Sequence, residues 1–311
     1  MEANVLELLS YGVVNIALVL LLAPLFEGVL RKVTARVQSR QGPPITQPYY
    51  DLLKLLGKED LECGESPFMQ RFASYLSLAA ILTVALLVPI GAAAPLGLSA
   101  DSILLIYVLT LCGISTLLAA LAAGSTYSLV GMSREMMAMM TLEPLLAISV
   151  IIGSVHAGSL RLDDVLGGGA VYAAGAESIS YAGILMAVVM LFAFQAFVGR
   201  MPFDIAEAET ELMEGTLIEY SGPKLALFKY AQMAKLFLYS TIVVALFLPW
   251  GNSLAFPLGT LVVLAKIFGL TLLVTLIAAT HARYRIDQAI KYYAFLFVVA
   301  LIALILAVLG Y

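Results

Sequence analysis

A chain of 311 residues that is 62% hydrophobic and only 12% charged, with a mean hydropathy of +0.99, is too apolar for a soluble domain, in which about a quarter of the residues are charged. The composition places it in a bilayer, and a formal charge of −4 provides no basic field for a nucleic-acid partner. Its two cysteines, Cys63 in a polar stretch and Cys112 inside an apolar run, share no C-x-x-C or longer ligand spacing, so no iron–sulfur cluster is expected to be bound by this chain.

Hydrocarbon leaves backbone amides nothing to bond except one another, so a span needs about 20 mostly apolar residues in a helix. The start, MEANVLELLSYG, carries Glu2 and Glu7 and no base before the first apolar run. It does not resemble a cleaved signal peptide, and the first run, 11–31, is expected to stay in the membrane. A long polar segment follows at 32–71, then runs at 72–94, 101–123 and 135–157, a shorter polar stretch at 158–180, and a run at 181–200. A second long polar segment, 200–229, precedes the last runs at 230–250, 257–280 and 288–310. Eight spanning helices are predicted in a single all-α membrane domain, 1–311. The triplet Gly167-Gly168-Gly169 reads as a flexible external loop, and no internal repeat is evident.

If every run spans, alternate connections share a side, and basic residues should favour the inner one. Arg31, Lys32, Arg36, Arg40, Lys54, Lys58, Arg71, Arg134, Arg200, Lys224, Lys229, Lys235, Arg283, Arg285 and Lys291 all fall on one side, with Arg161 on the other and Lys266 inside the seventh run. This puts 32–71 and 200–229 in the cytoplasm as docking segments, with both termini outside.

In the first segment, Gly42-Pro43-Pro44 breaks any helix. After Pro48 the leucines Leu52, Leu53, Leu55 and Leu56, flanked by Asp51, Lys54, Lys58 and Glu59, suggest a short amphipathic helix at the membrane surface, either an anchor or a docking element. The second segment opens Arg200-Met201-Pro202-Phe203-Asp204 and continues through Glu207, Glu209, Glu211, Glu214 and Glu219. Read as helix, it places Asp204, Glu207, Glu211 and Glu214 on one face, with Glu209 to the side. No Lys or Arg occurs from 201 to 223, so these acids are expected to repel one another and to hold protons more tightly than free carboxylates. A solvated surface is the plain alternative.

Ionisable groups at membrane depth are expensive and are functional candidates by default. They are Glu143, followed by Pro144; Glu27, after Pro24 near the inner end of the first run; and Lys266, which is expected to pair with a carboxylate of another helix. Glu135, at the predicted start of the fourth run, is expected to cap it. His156 and His281 fall at opposite ends of their helices and cannot share a haem, and Met136, Met137, Met139 and Met140 are expected to pack rather than bind metal. No residue set for making or breaking covalent bonds is visible.

The stretch RMPFDIAEAETELMEGTLIEYSG, Arg200 to Gly222, closely resembles the signature of the membrane subunit joining the peripheral and membrane arms of respiratory complex I and of energy-converting [NiFe] hydrogenases. RQGPPITQPYYDLLKLLGKED, Arg40 to Asp60, resembles the family's other signature. Quinone-reducing members carry Asn-Arg, then Gly-Pro, four residues and Gln-Pro. Here Ser39 stands for the Asn, and three residues separate Gly42-Pro43 from Gln47-Pro48. This, with Arg134-Glu135 and Leu142-Glu143-Pro144, looks more like the hydrogenase and formate hydrogenlyase branch.

The resemblance implies a fold of tilted helices and a coupling role. Partners would be a [NiFe] hydrogenase-like large subunit, an iron–sulfur small subunit, antiporter-like membrane subunits and lipid, with the [NiFe] centre and clusters held by those partners. The proton path would use Asp204, Glu207, Glu209, Glu211, Glu214, Glu219 and Glu143, with Glu27 and Lys266 as further ionisable candidates from their depth. Docking would use Arg40, Gly42, Pro43, Gln47, Asp51, Lys54, Arg200, Pro202 and Phe203. A quinone-site subunit of a complex I-like dehydrogenase is the alternative. A stand-alone secondary transporter is a third, against which the missing inverted repeat speaks.

Overall fold

In a computed structural model, residues 5–61, 66–90, 94–97, 99–171, 180–250 and 258–310 are described. Glu2 and Cys63 lie outside them, as do the side chains of Glu7 and Glu209. The elements are α1 (Val5–Val37), α2 (Gln47–Leu56), α3 (Pro67–Leu87), α4 (Ser102–Ala123), α5 (Thr126–Ala157), α6 (Leu162–Asp164), α7 (Tyr181–Phe197), α8 (Glu209–Leu212), α9 (Gly222–Phe247), α10 (Leu258–Thr280) and α11 (Ile286–Val308). Seven of these helices are long and apolar enough to cross a membrane. The eighth predicted span, α7, is an apolar helix of 17 residues, about 25 Å at 1.5 Å per residue.

Burial sorts the helices into centre and rim. Every side chain from Leu236 to Phe247 of α9 is buried, as expected of a helix that is apolar all round and enclosed by others. It packs against α1, α3, α7 and α10. The outward faces of α10 and α11 carry Leu261, Leu273, Phe295, Val298 and Ile305, all exposed. That is the surface lipid or a neighbouring subunit would cover.

Several expectations change. The helix carrying Glu143 begins at Thr126, where Ser125 caps it by accepting from the Ser128 amide. Glu135 therefore lies inside the helix, away from its cap. The stretch Val165–Gly169 forms a π-helical turn whose Val165 and Leu166 are buried against α5 and α9, so the predicted loop is packed at least that far. Met136, Met137 and Met140 face outward and are exposed, so they do not pack inside this chain.

The acidic run departs furthest from expectation. Only Glu209–Leu212 is α-helical; Gly215–Leu217 is a 3₁₀ turn, and Met213 and Glu214 have φ of 49° and 74°. The acids therefore do not share a helix face. Gly215 adopts φ +52°, and a Cβ there would sit 2.1 Å from the Ala206 carbonyl oxygen. Only glycine permits this fold-back of 206 onto 215.

Candidate functional site

The two polar segments meet on one face of the bundle over a cavity of about 650 Å³. Its walls come from α1 (Glu27, Arg31), the 40–43 loop, α5 (Glu135), the 198–207 stretch of chain, and α9 (Lys229, Gln232, Lys235). The loop approaches closely because Gly28 has no side chain: a Cβ there would lie 1.9 Å from the Ile45 carbonyl oxygen.

Glu27 is almost fully buried, and both its neighbours are guanidinium groups. Arg31 Nε donates to it at 3.1 Å, and Arg200 Nη2 donates to its other oxygen. Arg31 also donates to Asp51 of α2 at 3.1 Å, and Asp51 accepts from Gln47 Nε2 at 2.9 Å. One charge network thus ties α1 and α2 to the start of the acidic segment. Of the other predicted docking residues, Gly42 and Pro43 line the cavity, Arg40 lines it with an exposed side chain, and Lys54 is exposed. Pro202 and Phe203 are buried, with the Phe203 ring 5.0–5.4 Å from those of Tyr284, Tyr292 and Tyr293.

The acids are not short of basic partners; the bases come from elsewhere in the chain. Arg283 Nη2 donates to Asp204 at 3.0 Å, Arg134 Nη1 to Glu211 at 2.7 Å, and Lys229 lies 3.5 Å from Glu214. The Arg134 hydrogen bond and charge hold exposed Glu211 below the usual carboxylate range. Glu219 is half-buried. Glu207 differs. It faces the cavity half-buried, and its carboxylate accepts from Gln232 Nε2. Burial raises its pKa to about 7; Asp204 and Glu135 push the same way, while Lys229 and Lys235 oppose them.

A second cavity of about 80 Å³ continues into the bundle and holds Glu143. It shares Glu135, Lys235, Phe203, Ile205 and Ala206 with the first. The predicted acids Asp204, Glu207, Glu27 and Glu143 are thereby gathered along one connected space, whereas Glu211, Glu214 and Glu219 line neither cavity. Lys266 is not part of it. Its ammonium donates to the carbonyls of Leu248 (2.7 Å) and Trp250 at the far end of α9 and stands 4.9 Å from the centre of the Trp250 ring. Carbonyls just past the end of α9 thus bind the ammonium.

Sequence reasoning missed Glu135, assigned to a cap, and Lys235, counted with the loop charges. The signal available was spacing: Glu135 and Glu143 are eight residues apart, so on a continuous helix they point to neighbouring sectors.

Half-buried acids at the mouth and in the middle of a bundle with seven helices able to cross a membrane define a multi-pass membrane protein. Similarity to known proteins narrows the class. Residues 10–308 match the NADH dehydrogenase family, and the chain belongs to it. It is 34% identical to hydrogenase-4 component C of Escherichia coli over 89% of both chains. To formate hydrogenlyase subunit 4 of the same organism it is 30% identical, over 89% of this chain and 91% of the relative. Among solved structures, a chain of the membrane-bound sulfane sulfur reductase, an archaeal respiratory membrane complex, superposes with a TM-score of 0.86 at 25% identity, covering 97% of this chain and 99% of that one.

Proposed function

We propose that this chain is the coupling and anchoring membrane subunit of a multisubunit [NiFe] hydrogenase or a closely related ferredoxin-linked complex. The electron-transfer subunits dock on α2 and the 198–221 segment, and their redox state drives ion movement along the acids beneath. The observation carrying this reading is the pair of cavities that share Glu135 and Lys235 and lead from the face bearing both polar segments to Glu143. Names of relatives such as hydrogenase-4 component C and formate hydrogenlyase subunit 4 favour the hydrogenase branch. That face is cytoplasmic on the positive-inside pattern, and the [NiFe] centre and clusters belong to partner subunits; antiporter-like neighbours take the ion onward.

In this scheme Glu207 takes up a proton at the mouth, since a carboxyl poised near pH 7 exchanges readily with water. Glu27, held by two arginines, fixes Arg200 at the cavity wall. Glu143 is the deep relay. In Glu143→Gln, the complex is expected to assemble and transfer electrons while redox-driven ion translocation in proteoliposomes is lost. Pumping at the wild-type rate would refute the reading.

A second reading has an observation of its own. The large cavity is closed on one side by Gln41, Gly42 and Pro43 and on another by Arg200, Met201 and Phe203, and is roomy enough for a flat ring headgroup. As a quinone chamber it predicts that a photoreactive quinone analogue labels residues 40–60. Absence of labelling, with hydrogen evolution intact, leaves the hydrogenase reading.

A further inference from the structure

Lys235 is an ammonium placed where the large cavity meets the small one. It lies at the midpoint of α9, half-buried, and is one of the few side chains lining both cavities. Its Nζ sits 5.7 Å from the centre of the Tyr239 ring, and among the described residues no carboxylate approaches it closely enough to form an ion pair. The titratable and charged groups in the walls of these two cavities, besides Lys235, are Glu27 and Arg31 of α1, Arg40 of the 40–43 loop, Cys112 of α4, Glu135 and Glu143 of α5, Arg200, Asp204 and Glu207 of the 198–207 stretch, Lys229 and Tyr239 of α9 and Tyr293 of α11. A lysine left without a fixed partner beside carboxyls can exchange protons with each in turn.

We propose that Lys235 is the specificity-determining residue of this path, barring Na⁺ and other metal cations from Glu143 while passing H⁺ through its own nitrogen. The inference rests on the coupling role proposed above. Protonated, the group repels a second cation. At about 4 Å and an effective dielectric of about 20, that repulsion lowers cation occupancy roughly a thousandfold. The transfer itself conserves charge and protons. An Nζ–H bond breaks as the proton passes to the carboxylate of Glu143, leaving a neutral amine and a carboxylic acid; the amine lone pair then takes a proton from Glu207 or Glu135, regenerating the ammonium. The ammonium repels Na⁺, and the neutral amine exists only while Glu143 holds the proton, when no carboxylate is there to bind Na⁺.

Arginine separates this role from a structural one, because a guanidinium keeps the positive charge but does not give up its proton. In the assembled complex, Lys235→Arg is expected to hold Na⁺ out yet slow redox-driven proton uptake about a hundredfold, the contribution of one positioned proton-transfer group. Lys235→Met is expected to admit Na⁺. The infrared band of the protonated Glu143 carboxyl, identified by its loss in Glu143→Gln, then weakens when Na⁺ replaces choline; in the wild type it is indifferent to the exchange. Wild-type pumping by Lys235→Arg, or a Na⁺-sensitive band in the unaltered protein, overturns the proposal. If Glu143→Gln stops translocation while Lys235→Arg pumps normally, only the assignment of Lys235 falls; if Glu143→Gln pumps, the coupling role itself falls.

Discussion

Glu207 and Glu211 stand four positions apart in the same acidic segment, and their surroundings push them in opposite directions. Glu211 is exposed and hydrogen-bonded to Arg134, which favours its charged form; Glu207 is turned into the cavity, where lost hydration favours the neutral form and sets its pKa near 7. The sign of the linkage follows. For Glu207, raised from 4.5 to about 7, the folded state is favoured by proton binding, fully so below about 4.5 and progressively less as pH rises through 7. Difference infrared titration of the complex is therefore expected to show a carboxyl band disappearing around pH 7, absent in Glu207→Gln. A band that persists unchanged above pH 8, or is missing at pH 6, contradicts the assignment. The lowered pKa of Glu211 acts the other way, supporting the fold above its ordinary range and less as pH falls.

At the scale of elements, the acidic segment owes its position to backbone geometry. Gly215 folds onto Ala206, Ser128 Oγ shares its one proton between the carbonyls of Ala120 at 3.0 Å and Thr216 at 3.5 Å, and Tyr220 OH donates to the Ala119 carbonyl at 3.0 Å. These bonds tether the segment to the α4–α5 turn. Gly215→Ala should destabilise the subunit by more than about 1 kcal/mol, since a Cβ meets both positive φ and a carbonyl oxygen; lowered thermal stability of the assembled complex in detergent is the measurement. An unchanged midpoint would show that the segment can re-fold around the methyl group. A second element, α2, buries Pro48 and Leu52 but leaves Tyr50, Leu53 and Leu56 exposed at 62%, 65% and 52%.

At the scale of the whole molecule, that apolar strip lies on the segment that Arg31 joins to Glu27, so the proposed docking surface and cavity wall are connected through one side chain. Replacing Tyr50, Leu53 and Leu56 together by serine is expected to leave the subunit in the membrane but to strip it of its peripheral partners on purification, as judged by mass spectrometry of the pulled-down complex. Retention of the full set would move the docking site elsewhere. The outward residues of α10 and α11, by contrast, face lipid or a membrane neighbour, where apolar exchanges should be tolerated.

Hydropathy by itself determined that the chain is a multi-span helical bundle, because hydrocarbon forces every run of about 20 apolar residues to satisfy its own backbone. The runs ending in Ala123 and Thr280 agree with the helices observed. It also singled out Glu27 and Glu143 as candidates, because their cost in an apolar setting is visible without coordinates, whereas Asp204 and Glu207 stand out by the clustering of acids in a polar segment. Tertiary structure alone decided who meets whom. The pairing of Arg283 with Asp204, of Arg134 with Glu211 and of Arg200 with Glu27 joins residues 79, 77 and 173 positions apart, beyond any local period. The same holds for Lys235, which the predicted run 230–250 puts near a helix end and which α9, beginning at Gly222, carries to mid-helix. Helical period reports which face a residue occupies, while the packing of one helix on another sets what that face confronts.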